Sequence, residues 1–264
     1  MEPRAFLSQG KAPLLSGWKK LACEELFEAR PRRSMPPARM ISVIIPAHNE
    51  EHYLGRTLAS LNRQNYGWFE IIVVANGCTD RTAEIGRGQC HRLIISSQKN
   101  LGVARNLGAR MAKGELLVFL DADTELEPMA LRYIAGEFCR RDAAGTLRGR
   151  PDCNLPKYNL VYFLKNLVHA CRIHPGSSGV ILCWKEHFLK CGGFDEGLEV
   201  RENSDLMRRL LRHGSYRYLG DVAATTSMRR YAREGVARMT WLWLRVWAQS
   251  IFGDLHRRHY ETIR

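Results

Sequence analysis

Four apolar runs, Ile41–Pro46, Glu70–Asn76, His91–Ser97 and Glu115–Asp121, recur along the chain at a spacing that leaves room for a helix between them. Glu50–Gln64 places Leu54, Leu58 and Leu61 on one helical face, and Val103–Ala112 offers Ala104, Leu107 and Met111 at helical spacing. Strands that are apolar throughout are buried on both faces, and their alternation with helices predicts an α/β fold with a mostly parallel central sheet covered on both sides. Ligands of such sheets bind at the carboxyl edge of the strands. Three polar strand ends fall at that edge: Pro46-Ala47-His48-Asn49-Glu50, Asn76-Gly77-Cys78-Thr79-Asp80 and Asp121-Ala122-Asp123.

The last of these carries the most chemical information. ELLVFLDAD, residues 115–123, ends an apolar run on two carboxylates. In an extended strand, side chains two apart project to one side, so both acids can aim at one point. Such a pair needs compensation, which a hard divalent cation carrying phosphate oxygens supplies. The competing reading is a capped turn before a helix starting near Pro128.

Composition narrows the partner. A chain of 264 residues holds one sizeable core, and 45% hydrophobic with 25% charged residues is ordinary globular usage. A formal net charge of +13 asks for an anionic partner. Nucleic acid is set aside, because the basic residues gather at the termini and neither a stacking motif nor a recognition helix is visible. Eight cysteines show no CxxC pair and no zinc spacing with histidine, which reads as reduced cytoplasmic thiols. Residues 1–40, basic and broken by Pro31, Pro36 and Pro37, read as an appended arm without a secretory signal.

Beyond Asp123 the pattern is less regular. A helix is expected over Pro156–Cys171, then a small-residue loop Gly176-Ser177-Ser178-Gly179, a strand Val180–Trp184 and a helix Lys185–Lys190 ended by Gly192-Gly193. Glu202-Asn203-Ser204-Asp205 opens a further helix with Leu206, Leu210 and Leu211 facing inward.

The order of four pieces resembles the inverting, DxD-containing family 2 glycosyltransferases of the GT-A fold. They are VIIPAHNEE at 43–51, VVANGCTDRT at 73–82, NLGVARNLGARMAKGELLVFLDAD at 100–123 and GGFDEGLEVRENSDLMRRL at 192–210. The resemblance implies a Rossmann-like GT-A catalytic domain over 41–228, with a nucleotide-binding half at 41–123 and an acceptor half at 124–228. It implies a hexosyltransferase-like enzyme that takes a sugar from a UDP- or GDP-linked donor, with Mg2+ or Mn2+, and inverts the anomeric centre. Nucleotide contacts map to Pro46, Ala47, His48, Glu50 and Asn76, where the family's frequent Asp-Asp-Gly has become Ala75-Asn76-Gly77. Lys99 and Arg105 resemble the family's basic contacts to nucleotide or phosphate; their other reading is solvated helix charge.

Asp123 resembles the direct metal ligand, with Asp121 near the ribose or the metal-bound water and Ala122, between them, among the nucleotide-sugar contacts. The general base falls to Glu202 or Asp205, because the expected Asp of the family's Glu-Asp pair is Asn203, which cannot accept the proton. Near Thr225-Thr226-Ser227, where many relatives carry a metal-binding histidine, this chain has none.

Residues 229–264 form a basic aromatic tail. Trp243, Trp247 and Ile251 recur every four residues, and the apolar stretch Trp241–Phe252 is short of the roughly 20 residues needed to span a bilayer. It reads either as an interfacial helix on an anionic membrane surface, suited to a lipid-linked acceptor, or as a helix packed on the domain or on another subunit. The expected activity is transfer to a glycan or lipid-linked acceptor, in the cytoplasm or peripherally on the inner face of the plasma membrane. The reading from another class is a scaffold that binds nucleotide sugar without turnover, prompted by Asn203 and the missing histidine.

Overall fold

The core is one eight-stranded sheet in the order β3-β2-β1-β4-β7-β6-β8-β5, seen in a computed structural model that describes residues 39–173, 175–198 and 202–242. These residues belong to the second of two units into which the chain divides, Pro37–Arg264. The arm up to residue 38 and the tail from residue 243, with Trp243, Trp247 and Ile251, lie outside the described residues.

In chain order the elements are β1 (Ile41–Ala47), α1 (Leu54–Asn62), β2 (Phe69–Asn76), α2 (Thr82–Arg87), β3 (Arg92–Ser96), α3 (Leu101–Met111), β4 (Leu116–Leu120), β5 (Thr124–Leu126) and α4 (Ala130–Glu137). There follow β6 (Asp142–Pro151), α5 (Pro156–Ala170), β7 (Val180–Trp184), α6 (Lys185–Lys190), α7 (Glu202–Leu210), β8 (Ser215–Thr226) and α8 (Arg229–Glu234). Residues 236–242 are helical as well.

The expected parallel arrangement holds over β3-β2-β1-β4. Past β4 the sheet is mixed: β7 runs antiparallel to β4 and β6, and β5 antiparallel to β8, while β6 and β8 are parallel. Four of the seven pairings are therefore parallel, and the sheet is still mostly of that kind.

Period-two alternation sorts each strand onto two cores. Ile41, Val43 and Ile45 of β1, with Leu116, Val118 and Leu120 of β4, pack under Leu54, Leu58 and Leu61 of α1 and Leu131 and Ile134 of α4. Ile44, Val74 and Phe119 face the other way, under Ala104 of α3, Phe188 of α6 and Leu206 and Leu210 of α7. Helices thus cover both faces, which is why β1, β2 and β4 read as unbroken apolar runs.

Register opens the crevice. The β1–β2 ladder runs to Ala47↔Ala75, but the β1–β4 ladder stops at Ile44↔Phe119. Pro46, which has no N–H to give, sits beyond that last pair. β1 lies between β2 on one side and β4 on the other, so the strand order reverses there and the edges separate at their carboxyl ends.

One local expectation is corrected. Strand β4 ends at Leu120, and Asp121-Ala122-Asp123 forms a turn, with Thr124 N–H donating to Asp121 O at 3.0 Å. The two acids are thus placed by a turn and not by strand alternation. Chain folding back is the reason: Asp121 N–H is taken by Gly179 O at 3.0 Å and Asp123 O by Ser227 N–H at 3.1 Å.

Candidate active site

Three of the predicted strand ends do meet at the crevice. At the end of β1, His48 Nδ1 lies 2.7 Å from Asn76 O at the end of β2, which ties the first two edges together. Pro46 and Ala47 are buried beneath them. Asn76 is fully buried, and neither its side-chain nitrogen nor its oxygen has a partner among the described residues. Gly77 follows at φ +61°, where a Cβ would come within 2.6 Å of Lys99 Cγ. A side chain there would be strained and would collide, so glycine lets the exposed Lys99 lie across the turn.

The turn at the end of β4 is fixed from beneath by Thr57 of α1, whose hydroxyl donates to Ala122 O at 2.8 Å. Its two carboxylates are claimed by different arginines. Asp121 Oδ1 is 3.2 Å from Arg105 Nη2, and Asp123 Oδ2 is 3.2 Å from Arg229 Nη2.

Arg105 is the centre of the arrangement. It projects from α3, whose first turn is capped by the Asn100 side chain accepting from Val103 N–H at 3.0 Å. Its side chain is 4% exposed, stacks on Phe194 with 5.1 Å to the ring centroid, and forks between Asp121 and Glu202, the latter at 2.9 Å. Burial alone would disfavour its charge, but Glu202 and Asp121 outweigh that and hold it above the ordinary guanidinium range. The fork suits arginine because a lysine ammonium cannot span two carboxylates in a plane. Arg105 is thus neither a solvated helix charge nor an open phosphate contact in this structure.

Arg229, at the start of α8, bridges Asp123 and Glu50, whose Oε1 it approaches to 2.5 Å, and lies over the Tyr53 ring at 4.3 Å. In the sequence Arg229 reads only as the first residue of a basic tail. The one available signal was position: it stands two residues after Ser227, where a histidine was expected and is missing.

The two candidate bases differ sharply. Glu202 opens α7 and gives one oxygen to Arg105. Asp205 is buried, with Oδ1 bonded to Arg208 at 3.0 Å and Oδ2 to Arg209 Nε at 2.8 Å. Burial would raise the Asp205 pKa, yet hydrogen bonds from Arg209 and Arg208 pull it below the usual carboxylate range. Arg209 also donates to Cys191 O and Gly193 O, both at 2.6 Å, so Asp205 fastens α7 to the turn after α6. Asn203, between them, reaches Ser177 Oγ at 3.4 Å.

Charge accounting indicates what else the site accepts. Asp121, Asp123, Glu50 and Glu202 face two guanidiniums, Arg105 and Arg229. Burial, then Asp121 and Glu50, push Asp123 up to about 6 against the pull of Arg229 and Arg230. An excess of partly buried negative charge fits a divalent cation. No group of three or more His, Cys, Asp or Glu suited to a metal occurs among the described residues, so remaining ligands would be donor phosphates and water.

Comparison with known proteins gives the family and the fold. The family model for glycosyl transferase family 2 matches residues 42–185, more than half of the chain. An uncharacterized glycosyltransferase of Haemophilus influenzae is 26% identical over 189 residues, 67% of this chain and 64% of that protein. The 4,4'-diaponeurosporenoate glycosyltransferase of Staphylococcus haemolyticus is 32% identical over 157 residues, 56% of this chain and 40% of that protein. The chain therefore spans less than two thirds of the length of these relatives.

Among solved structures, TarS 1–349 of S. aureus superposes with a TM-score of 0.57 at 19% identity, covering 71% of this chain and 60% of that one. The mannosyltransferase PcManGT of Pyrobaculum calidifontis, in complex with GDP-Man and Mn2+, gives 0.59 at 18%, covering 74% and 60%. The fold is that of these GT-A enzymes, and with its sequence matched over β1 to β7 the chain belongs to glycosyl transferase family 2.

Proposed function

We propose that the protein transfers a hexosyl group from a UDP- or GDP-linked sugar to a glycan or lipid-linked hydroxyl, with inversion at the anomeric carbon. The observation that carries this reading is the Arg105 fork. One buried guanidinium joins Asp121 to Glu202, which in this reading face the donor and the acceptor. Donor and base are thereby set on a single rigid group, as a one-step displacement needs.

In this reading Asp123, with Asp121, would hold Mg2+ or Mn2+, which when bound would supply positive charge to the diphosphate. His48, Lys99 and the unpaired amide of Asn76 hold the nucleotide. Glu202 takes the acceptor proton as the acceptor oxygen bonds to the anomeric carbon and the bond from that carbon to the diphosphate breaks. Asp205 is assigned to structure, since both its oxygens already serve arginines.

Nucleoside diphosphate release from a panel of UDP- and GDP-sugars, with Mg2+ or Mn2+ and candidate acceptors, tests the proposal. Turnover should vanish in Asp123→Ala and Glu202→Gln. Full turnover in Glu202→Gln would return the base to Asp205. Nucleotide sugar bound without turnover on any acceptor would favour the scaffold reading, and no binding at all would sink both.

A further inference from the structure

Helix α5 shows two contrasting faces. Its inner face buries Tyr158, Tyr162 and His169, and packs with Met228, Tyr231 and Met239 of the segment that follows β8. Its outer face carries Leu160, Phe163, Leu164 and Leu167, exposed at 58%, 63%, 50% and 47%. Their i, i+3, i+4, i+7 spacing makes one continuous apolar stripe. Ile173 just beyond the helix and Trp241 on the adjoining helical segment are exposed as well, at 60% and 69%. Stripes of this kind mark contact with a partner or a membrane.

Charge identifies the partner. No Asp or Glu occurs between Asp152 and Glu186, while Lys157, Lys165 and Arg172 do. The adjoining residues 229–242 add Arg230, Arg233 and Arg238 against the single acid Glu234, which pairs with the last two, while Arg229 is taken up by Glu50 and Asp123. A protein partner is usually matched by mixed charge; an apolar stripe with one sign of flanking charge matches an anionic lipid surface. The 15 residues of α5 are too few to cross a bilayer, and no helix among the described residues is long and apolar enough to do so.

We infer that α5 lies in the plane of an anionic bilayer, its outer stripe among the acyl chains and its basic flanks at headgroup depth. The catalytic crevice would then open beside the membrane. Tyr158 and Tyr162, on the inner face of α5, pack with Met228 and Tyr231 on either side of Arg229, so the docking helix backs the segment that reaches Asp123. The consequence that a lipid-linked acceptor is delivered there rests on the proposed transferase reading; the docking itself does not.

Flotation of the full chain with phosphatidylcholine vesicles, with and without phosphatidylglycerol, tests the inference without any sugar nucleotide. The protein should float with the anionic vesicles and not with the neutral ones. Phe163→Ser should weaken binding about tenfold, and the Leu160→Ser/Phe163→Ser/Leu164→Ser triple about 100-fold. Trp68→Ser, an exposed apolar residue outside this surface, should leave it unchanged. Hydrogen exchange across Pro156–Ala170 should slow on vesicle addition, and the variants' melting temperatures, matched to the parent, exclude misfolding. Flotation fully retained by the triple variant would overturn the inference, as would no flotation. A dimer in solution whose formation alone protects α5 would assign the stripe to a second copy. Docking without turnover would refute the proposed function and leave this inference standing.

Discussion

Arg229 Nη2 lies 3.2 Å from Asp123 Oδ2 while also bonding Glu50, so a residue from the start of the tail supplies positive charge to the acid pair at the end of β4. Asp123 is nevertheless pushed up to about 6 from 3.8. The sign of the resulting stability effect is fixed. A carboxyl with a raised folded pKa is no burden below pH 3.8, becomes one as pH rises, and costs its full amount above about 6. Asp123→Asn should therefore stabilise the metal-free protein at pH 7.5 by on the order of 1–3 kcal/mol while removing turnover. Urea unfolding with chelator at pH 7.5 and pH 4.5 checks this: the gain should shrink at the lower pH, and an equal gain at both would refute it.

Arg229→Gln removes the attraction that favours the ionised form of Asp123. The acid limb of the kcat/KM profile should move up by about one pH unit, equal to roughly fivefold less activity near pH 6 and roughly tenfold less well below it. An unshifted limb would mean that Asp123 does not set it.

Arg105→Ala strands two carboxylates around a buried cavity. Loss of about 3–5 kcal/mol is expected. Arg105→Lys should cost less in stability, since charge survives, but should still lower kcat, because a single ammonium cannot hold Asp121 and Glu202 together. Urea midpoints with unchanged slopes and steady-state rates would decide it. Equal kcat for Arg105→Lys and the parent would remove the fork from the mechanism.

Asn76 tests whether an amide is kept for a ligand. Asn76→Leu removes two unpaired buried polar atoms with the same branching at Cγ, so stability should hold within about 1 kcal/mol, the lost polar burial offset by the bulk of the two methyl groups. Affinity for the nucleoside diphosphate should nonetheless fall about tenfold if the amide meets the base. Calorimetric binding and thermal unfolding together check this; unaltered affinity would free Asn76 from nucleotide recognition.

Gly108→Ala weighs helix propensity against packing. Alanine gains up to about 1 kcal/mol in a helix. Here its Cβ would stand 2.4 Å from Ile44 Cγ2 on β1, a β-branched side chain in the buried sheet. Overpacking at about 1–3 kcal/mol should win, and denaturation should show a net loss of about 1–2 kcal/mol. A stabilised variant would mean that α3 can shift away from the sheet.

How much of this was legible follows from what each segment buries. β1, β2 and β4 are covered on both faces, so Ile, Val and Leu fill most positions and announce the strands. β6 escaped because its buried residues are largely small, as in Ala143-Ala144-Gly145, with Arg148 and Arg150 interleaved. β8 escaped because its pairing with β6 slips between Leu147 and Arg148, where the partner jumps from Leu219 to Ala223 and periodicity is lost. The six residues of α2 are too few for a helical pattern to register. Asp121, Asp123, Glu202 and Arg105 were legible as residues. Their mutual pairing was not, since it spans 97 positions for Arg105 and Glu202 and 179 for Arg229 and Glu50.

Because α8 begins with Arg229 only three residues after β8 ends at Thr226, the chain enters its tail through the acid cluster itself. Shortening the protein at Ser227 would take away the cation shared by Glu50 and Asp123, together with the Tyr231 and Met239 side chains packed against α5. A cut after Leu242 spares all three. Two deletions fifteen residues apart by position, after 227 and after 242, therefore separate damage to the reaction centre from loss of whatever the distal tail binds.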